Sequence, residues 1–364
     1  MGSSPSDQPE TIKPVHTLRA FQDGRLAHAE GSPERRRLDM QGGSEGCLLK
    51  YTGQSDTSKY LKFQWRQKMY QFLCLTFGLA SAPRIFTKLM KPVIAILRRL
   101  GIRLIIYLDD IRLMNQSKEL LLQDRDTLLF LLQQLGFGIN WKKSFLTPSQ
   151  EIEFLGFLIN SVTMRMMLPE NKITQLVDHC MELSHKAQIT VRELAKVIGK
   201  MTASMAAIFP ALLHCRYLQM TKTRSLIHNQ SYESLVTLPQ ECREELQWWC
   251  HHLKEFNRRT IICPYPDLII TSDASKRGGA HSQDMQTGGA WTAQETTIHI
   301  NILELLAAFL ALQTFKGKQN LTVLMKIDNC TAVAYINKMG GTKSKSLVTL
   351  AKEMWNYCLF NKLL

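Results

Sequence analysis

The stretch that most restricts this chain is Ile102-Arg103-Leu104-Ile105-Ile106-Tyr107-Leu108-Asp109-Asp110-Ile111-Arg112-Leu113-Met114, two apolar runs broken by adjacent carboxylates. Alternation on both sides of an abrupt polar break predicts strand, tight turn, strand. Carboxylates fixed on so rigid a turn suit chemistry in which two divalent cations, roughly 4 Å apart, hold both the attacking and the leaving oxygens. The same dipeptide is ordinary turn chemistry, because Asp side chains bond nearby backbone amides. On four residues alone the turn is favoured, and the motifs around them reverse that balance.

At 364 residues the chain has room for two or three domains with proper cores. A net charge of +14 points to a polyanionic partner, as a footprint rather than a proof. Nine scattered cysteines (Cys47, Cys74, Cys180, Cys215, Cys242, Cys250, Cys263, Cys330, Cys358) form no Cys-x-x-Cys pair. That argues for reduced thiols in an intracellular protein, nuclear or cytoplasmic, and against a zinc module. Cys250-His251-His252 places neighbouring ligands on different helix faces, so packing and exposure explain it better than a metal. No signal peptide or transmembrane run is evident.

Met1 to about Gly46 is rich in Ser, Gly, Pro and charge without a sustained period, and is expected to lack regular structure. Leu61-Phe63-Trp65 and Met69-Gln71-Leu73 predict a hairpin, and Leu75-Thr76-Phe77-Gly78-Leu79-Ala80-Ser81-Ala82-Pro83 enters a helix. That helix carries Ile85, Leu89, Val93, Ile96 and Leu97 as its apolar face and a kink at Pro92. A second runs from Lys118 to Leu135 and ends at Gly136. Glu153 to Ile159 is a strand pair around Gly156, where a bulge or a close backbone approach weigh about evenly. Past Pro169 the period turns helical: Ile173, Leu176, Val177, Cys180 and Leu183 form a stripe, and Thr190-Val191-Arg192-Glu193 is a capping box. Arg192, Lys196 and Lys200 recur every four residues as a basic face, suited to phosphates or simply solvated. Gln240 to Phe256 buries Cys242, Leu246, Trp249, Leu253 and Phe256.

Two further strands, Leu268 to Ser272 and Leu321 to Ile327, end in Asp273 and Asp328, and the apolar helix Asn301 to Phe315 between them holds Glu304 as its only ionisable residue. Asn301 to Glu304 also reads as a capping box, and each Asp as a cap. Three caps in this order would be coincidence.

In this order, from about Lys59 to Tyr357, the motifs resemble the reverse transcriptase and RNase H region of retroelements, nearest to DIRS-like, tyrosine-recombinase-bearing retrotransposons. The resemblance implies an α+β fold: a right-hand polymerase palm and fingers (59–164), a helical thumb (165–220), a connection (221–265) and an α/β RNase H-like domain with a mixed sheet (266–364), after a degenerate fingers remnant at 1–58. It implies Asp109 and Asp110 as polymerase metal ligands, with Mg²⁺ or Mn²⁺ as cofactor. Phe77 and Gly78 would lie under the incoming nucleotide, Lys143 near the triphosphate, and Gly156 on the hairpin gripping the primer end. Lys143 is equally readable as a solvated strand-end charge. Asp273, Glu304 and Asp328 would bind metal for cleavage of RNA in an RNA–DNA hybrid, and Arg192, Lys196 and Lys200 would face nucleic acid. The partners implied are an RNA template, a DNA primer, the hybrid and deoxynucleoside triphosphates.

The chain departs from that pattern in three places, one of them Gly278-Gly279-Ala280, where family members usually have Gly-Trp-Gly-Ala near the start of the RNase H domain. Lys13 to Arg19 looks like the fingers segment before the first catalytic motif, but the motif itself is absent between Leu48 and Phe63; Asp56 matches a spacer and takes no catalytic role. The family's fourth RNase H carboxylate is also missing, the chain closing at Leu364, so the expectation is a degenerate or truncated copy with impaired polymerisation. The rival expectation is a catalytically inactive nucleic-acid-binding protein.

Overall fold

In the computed structural model, which describes residues 15–21, 26–28, 61–72, 78–262, 265–275, 280–282, 286–314 and 319–364, the chain divides into two units, Met1–Arg165 and Met166–Leu364. The first contains β1 (Val15–Phe21), β2 (Leu26–His28), β3 (Lys62–Trp65), β4 (Lys68–Phe72), α1 (Ala82–Arg99), β5 (Arg103–Tyr107), β6 (Asp110–Met114), α2 (Lys118–Gln134), β7 (Gly138–Ile139), β8 (Phe145–Ser149), β9 (Glu151–Phe154) and β10 (Phe157–Asn160). β11 (Arg165–Met167) leads out of it.

Its main sheet runs β5-β6-β1-β7, with β8 also paired to β1. The Asp109–Asp110 stretch is a hairpin as predicted, with Tyr107 opposite Asp110 and a two-residue loop between them. On β6, Ile111 and Leu113 are fully buried beneath α1 and α2. Alternation therefore turns Asp110, Arg112 and Met114 to the other face. α1 runs unbroken through Pro92, an exposed position whose lost hydrogen bond leaves a carbonyl facing water. Its buried face is Phe86, Met90, Val93, Ile94 and Leu97, turned from the predicted stripe, since Ile85 and Ile96 are exposed. The helix offers two overlapping apolar stripes, and the sheet selects one. α2 matches its prediction, capped by Ser117, whose side chain accepts from Leu120 N–H, and followed by Gly136 at φ +79°.

Two strands, β1 and β2, lie within the segment expected to lack regular structure. Local pattern missed β1 because its support is non-local: β6 pairs with one edge and β7 and β8 with the other.

The second unit comprises α3 (Glu170–His185), β12 (Ile189–Thr190), α4 (Val191–Ser204), α5 (Arg216–Asn229), β13 (Leu235–Val236), α6 (Gln240–Phe256), β14 (Arg259–Thr260), β15 (Leu268–Ser272), β16 (Ala280–Ser282), β17 (Gln286–Thr287), α7 (Ile300–Thr314), β18 (Val323–Ile327), α8 (Cys330–Asn337) and α9 (Lys345–Phe360). The predicted capping box is present in both directions between Thr190 and Glu193. α6 buries Cys242, Leu246, Trp249 and Leu253 as the heptad spacing requires. The later sheet has the order β17-β16-β15-β18, with β15 and β18 parallel and the other pairs antiparallel. A parallel pair needs a crossover, and α7 lies in the connection that supplies it. Among the described residues no helix is long and apolar enough to cross a membrane.

Glu245, on α6, is wholly buried and accepts from Tyr217 and Leu218 N–H at 3.1 and 3.0 Å, capping the start of α5. Burial outweighs these donors and Lys352, raising its pKa to about 7 from 4.5. The folded protein holds this proton more tightly than the unfolded chain, so the associated stability is present below pH 4.5 and is lost as pH rises to about 7. We predict that the unfolding free energy of wild type, taken relative to Glu245→Gln, falls by about 3 kcal/mol across this window. Urea titrations at several pH values measure it, and a flat difference refutes it.

Candidate active sites

The hairpin of the first unit places Asp109 in its loop and Asp110 at the first position of β6, both half-buried. Leu108 adopts φ +53°, an unfavourable conformation for a bulky residue that the two-residue turn imposes. One carboxylate oxygen of Asp110 is buried. Along the neighbouring strand, Arg19 stands in register with Asp110, and β1 (Val-His-Thr-Leu-Arg-Ala-Phe) contains no acid. Arg112 was missed by the sequence reading. It is buried, its guanidinium lies 5.9 Å from the Phe154 ring centroid, and burial lowers its pKa to about 10. The available signal was a cation at an alternate strand position two residues beyond Asp110.

The other predicted residues of this unit are dispersed. Phe77 lies outside the described residues. Gly78 has φ +91° and stands shortly before α1, where a left-handed backbone favours glycine. Lys143 is exposed in the turn after β7, its backbone N–H donating to the Asn140 carbonyl at 3.2 Å. Leu155 and Gly156 form the two-residue loop of the β9–β10 hairpin with φ +50° and +76°, so Gly156 marks a primed turn and not a bulge. In the second unit Arg192, Lys196 and Lys200 are exposed on α4. Arg192 donates to Glu233 at 2.6 Å, and the Lys200 ammonium is 2.7 Å from His179 Nδ1.

The three acids of the later sheet do converge. The parallel register pairs Ser272 with Ile327, so Asp273 and Asp328 leave adjacent strand ends side by side. α7 supplies Glu304, and carboxylate oxygens of the three lie within 4.8 Å of one another. Glu304 is 5% exposed, its Oε2 is buried without a hydrogen-bond partner, and Ala274 N–H donates to its carboxylate. Burial, then Asp328, then Asp273 raise its pKa, against that backbone donor. Asn301 lies inside α7, so the capping-box reading of Asn301 and Glu304 fails. The Asn301 side chain accepts from Asn329 Nδ2 at 3.0 Å.

An all-carboxylate set with one buried unsatisfied oxygen fits a hard divalent cation such as Mg²⁺ or Mn²⁺. Among the described residues this is the one group of three or more Asp, Glu, His or Cys with metal-holding geometry.

Residues 45–159, which include the Asp109–Asp110 hairpin and the Leu155–Gly156 turn, match the reverse transcriptase (RNA-dependent DNA polymerase) family. The chain therefore carries a reverse transcriptase domain over that stretch. It is also homologous to a retrovirus-related Pol polyprotein from transposon opus of Drosophila melanogaster, 27% identical over 124 residues, covering 34% of this chain and 12% of that polyprotein. In fold the chain resembles the foamy viral protease–reverse transcriptase dRH in complex with ds DNA, with a TM-score of 0.51 and 16% identity, over 97% of this chain and 56% of the other. The foamy viral protease–reverse transcriptase in complex with RNA/DNA hybrid gives 0.50 and 16%, over 97% and 44%. The chain thus spans about half of these solved structures and an eighth of the curated relative.

Neutralising Glu304 removes a buried charge from between two like charges. Glu304→Gln is therefore predicted to raise the melting temperature in EDTA by about 2–4 °C, and to abolish the stabilisation that Mn²⁺ gives wild type. Thermal denaturation with and without the ion checks both; a lower melting temperature in EDTA contradicts the reading.

Proposed function

We propose that this chain is the reverse transcriptase and RNase H portion of a DIRS-like retroelement protein, in which hydrolysis of RNA within an RNA–DNA hybrid is the better-preserved chemistry. The observation that carries this is the convergence of Asp273, Glu304 and Asp328 within 4.8 Å, with a buried oxygen of Glu304 left unsatisfied. These side chains would hold paired Mg²⁺ or Mn²⁺. Such ions supply an activated water and steady the leaving oxygen of a phosphodiester. The protein's own share is to fix three ligands from two strand ends and one helix, with the Ala274 N–H orienting Glu304.

For the polymerase half the reading is impaired synthesis on an RNA template. Asp109 and Asp110 would supply two ligands from one turn, while β1, paired with β6 as far as Asp110, has no acid in its sequence. Paired cations need ligands from more than one element, and the sequence of β1 offers none. The chain would then serve to hold primer–template duplex and hybrid, with Gly156 and Lys143 as contacts in the first unit and, separately, Arg192, Lys196 and Lys200 of α4 in the second. The net charge of +14 supports a nucleic-acid partner.

A labelled RNA–DNA hybrid with Mn²⁺ tests cleavage, and primer extension on a homopolymer RNA tests synthesis. We predict cleavage by wild type that falls at least about 100-fold in Asp273→Asn, as removal of a metal ligand requires, alongside little or no extension. Salt-sensitive binding without cleavage would instead identify an inactive binding protein, and robust extension would overturn the reading of impaired synthesis.

A further inference from the structure

The three acids sit on separate elements, and only two of them are tied by the β15–β18 ladder. Glu304 belongs to a helix, so its distance from Asp328 depends on what joins α7 to the end of β18. One polar link does so. Asn329, next to Asp328, caps α8: its Oδ1 accepts from Thr331 and Ala332 N–H at 3.0 and 2.9 Å. With that oxygen committed to two backbone donors, the amide nitrogen faces Asn301 and donates to its Oδ1 at 3.0 Å. Asn301 stands one turn before Glu304, on the same side of α7.

We propose that Asn301 and Asn329 act as positioning residues, a tether that holds the helix of Glu304 against the turn of Asp328 so that the carboxylates stay gathered for a divalent cation. The proposal rests on the reading of the cluster as a metal centre. Both ends of the tether are neutral, so it constrains the acids without adding charge to them. It also acts where the three carboxylates repel in the absence of a cation, adding a polar link to the apolar packing that already holds α7. Outer residues that orient ligands typically change metal affinity by about 10-fold or more when removed.

The test is Mn²⁺ binding to the full chain, read by electron paramagnetic resonance, for wild type, Asn301→Ala, Asn329→Ser, the double variant and Asp273→Asn. Alanine is a good helix former, and serine still caps α8, so neither single change removes more than the link. We expect each single variant to weaken binding about 10-fold and the double variant to be no weaker than either, the signature of one shared interaction. Wild-type affinity in both single variants, or losses that multiply in the double, would overturn the tether while leaving the metal centre standing. No Mn²⁺ bound by wild type, or none lost in Asp273→Asn, overturns the metal centre and the tether together.

Discussion

Mutual repulsion among three carboxylates is the constraint around which the later sheet is arranged. Two of the acids follow paired parallel strands, where the backbone ladder keeps them adjacent regardless of charge. The third cannot come from that sheet without disrupting it, and it arrives instead on α7. The helix is anchored by an apolar body: Leu303, Leu305, Ala307, Ala308, Ala311 and Leu312 are buried. A side chain such as Leu contributes roughly 1.5–3 kcal/mol on full burial, so a few of them suffice to hold a charge where it is disfavoured. Packing elsewhere in the helix thus offsets the unfavourable placing of the Glu304 carboxylate beside Asp273 and Asp328.

The first unit uses backbone conformation to a similar end. Leu108 occupies a left-handed conformation, a cost of about 1–3 kcal/mol, offset by the wholly buried Ile111 and Leu113 that lock β6 to the helices. The turn therefore presents Asp109 at a fixed place. The β9–β10 hairpin repeats the device with Leu155 and Gly156. Arg112 lies between them, on the same face of β6 as Asp110 and against Phe154 of β9. Burying a guanidinium is costly, and it places a cation two residues from Asp110 on the same strand.

What was legible in the sequence is what neighbours along the chain decide. The Thr190–Glu193 capping box, the hairpin at Asp109 and Asp110, and the span of α6 each follow from contacts within a few residues. The convergence of Asp273, Glu304 and Asp328 was legible as well, because strand ends and a single acid on an apolar helix leave few other placements. Illegible were features set by distant partners. β1 becomes a strand because β6, β7 and β8 flank it, α1 shows one stripe of two because the sheet chooses, and Asn301 looked like a cap until Asn329 was seen to bind it.

The same distinction explains how a sheet can keep its form whatever side chains its strands carry. A β-ladder is made of backbone groups, which do not register whether a strand carries aspartate or arginine. β1 can therefore complete the sheet beside β6 through five paired positions while bringing Arg19 to the level of Asp110. Likeness to solved reverse transcriptases at 16% identity accordingly speaks for the sheet and its helices. Chemistry is decided instead by charge placed at a handful of positions, and in the second unit three acids from separate elements have ligand atoms within 4.8 Å of one another.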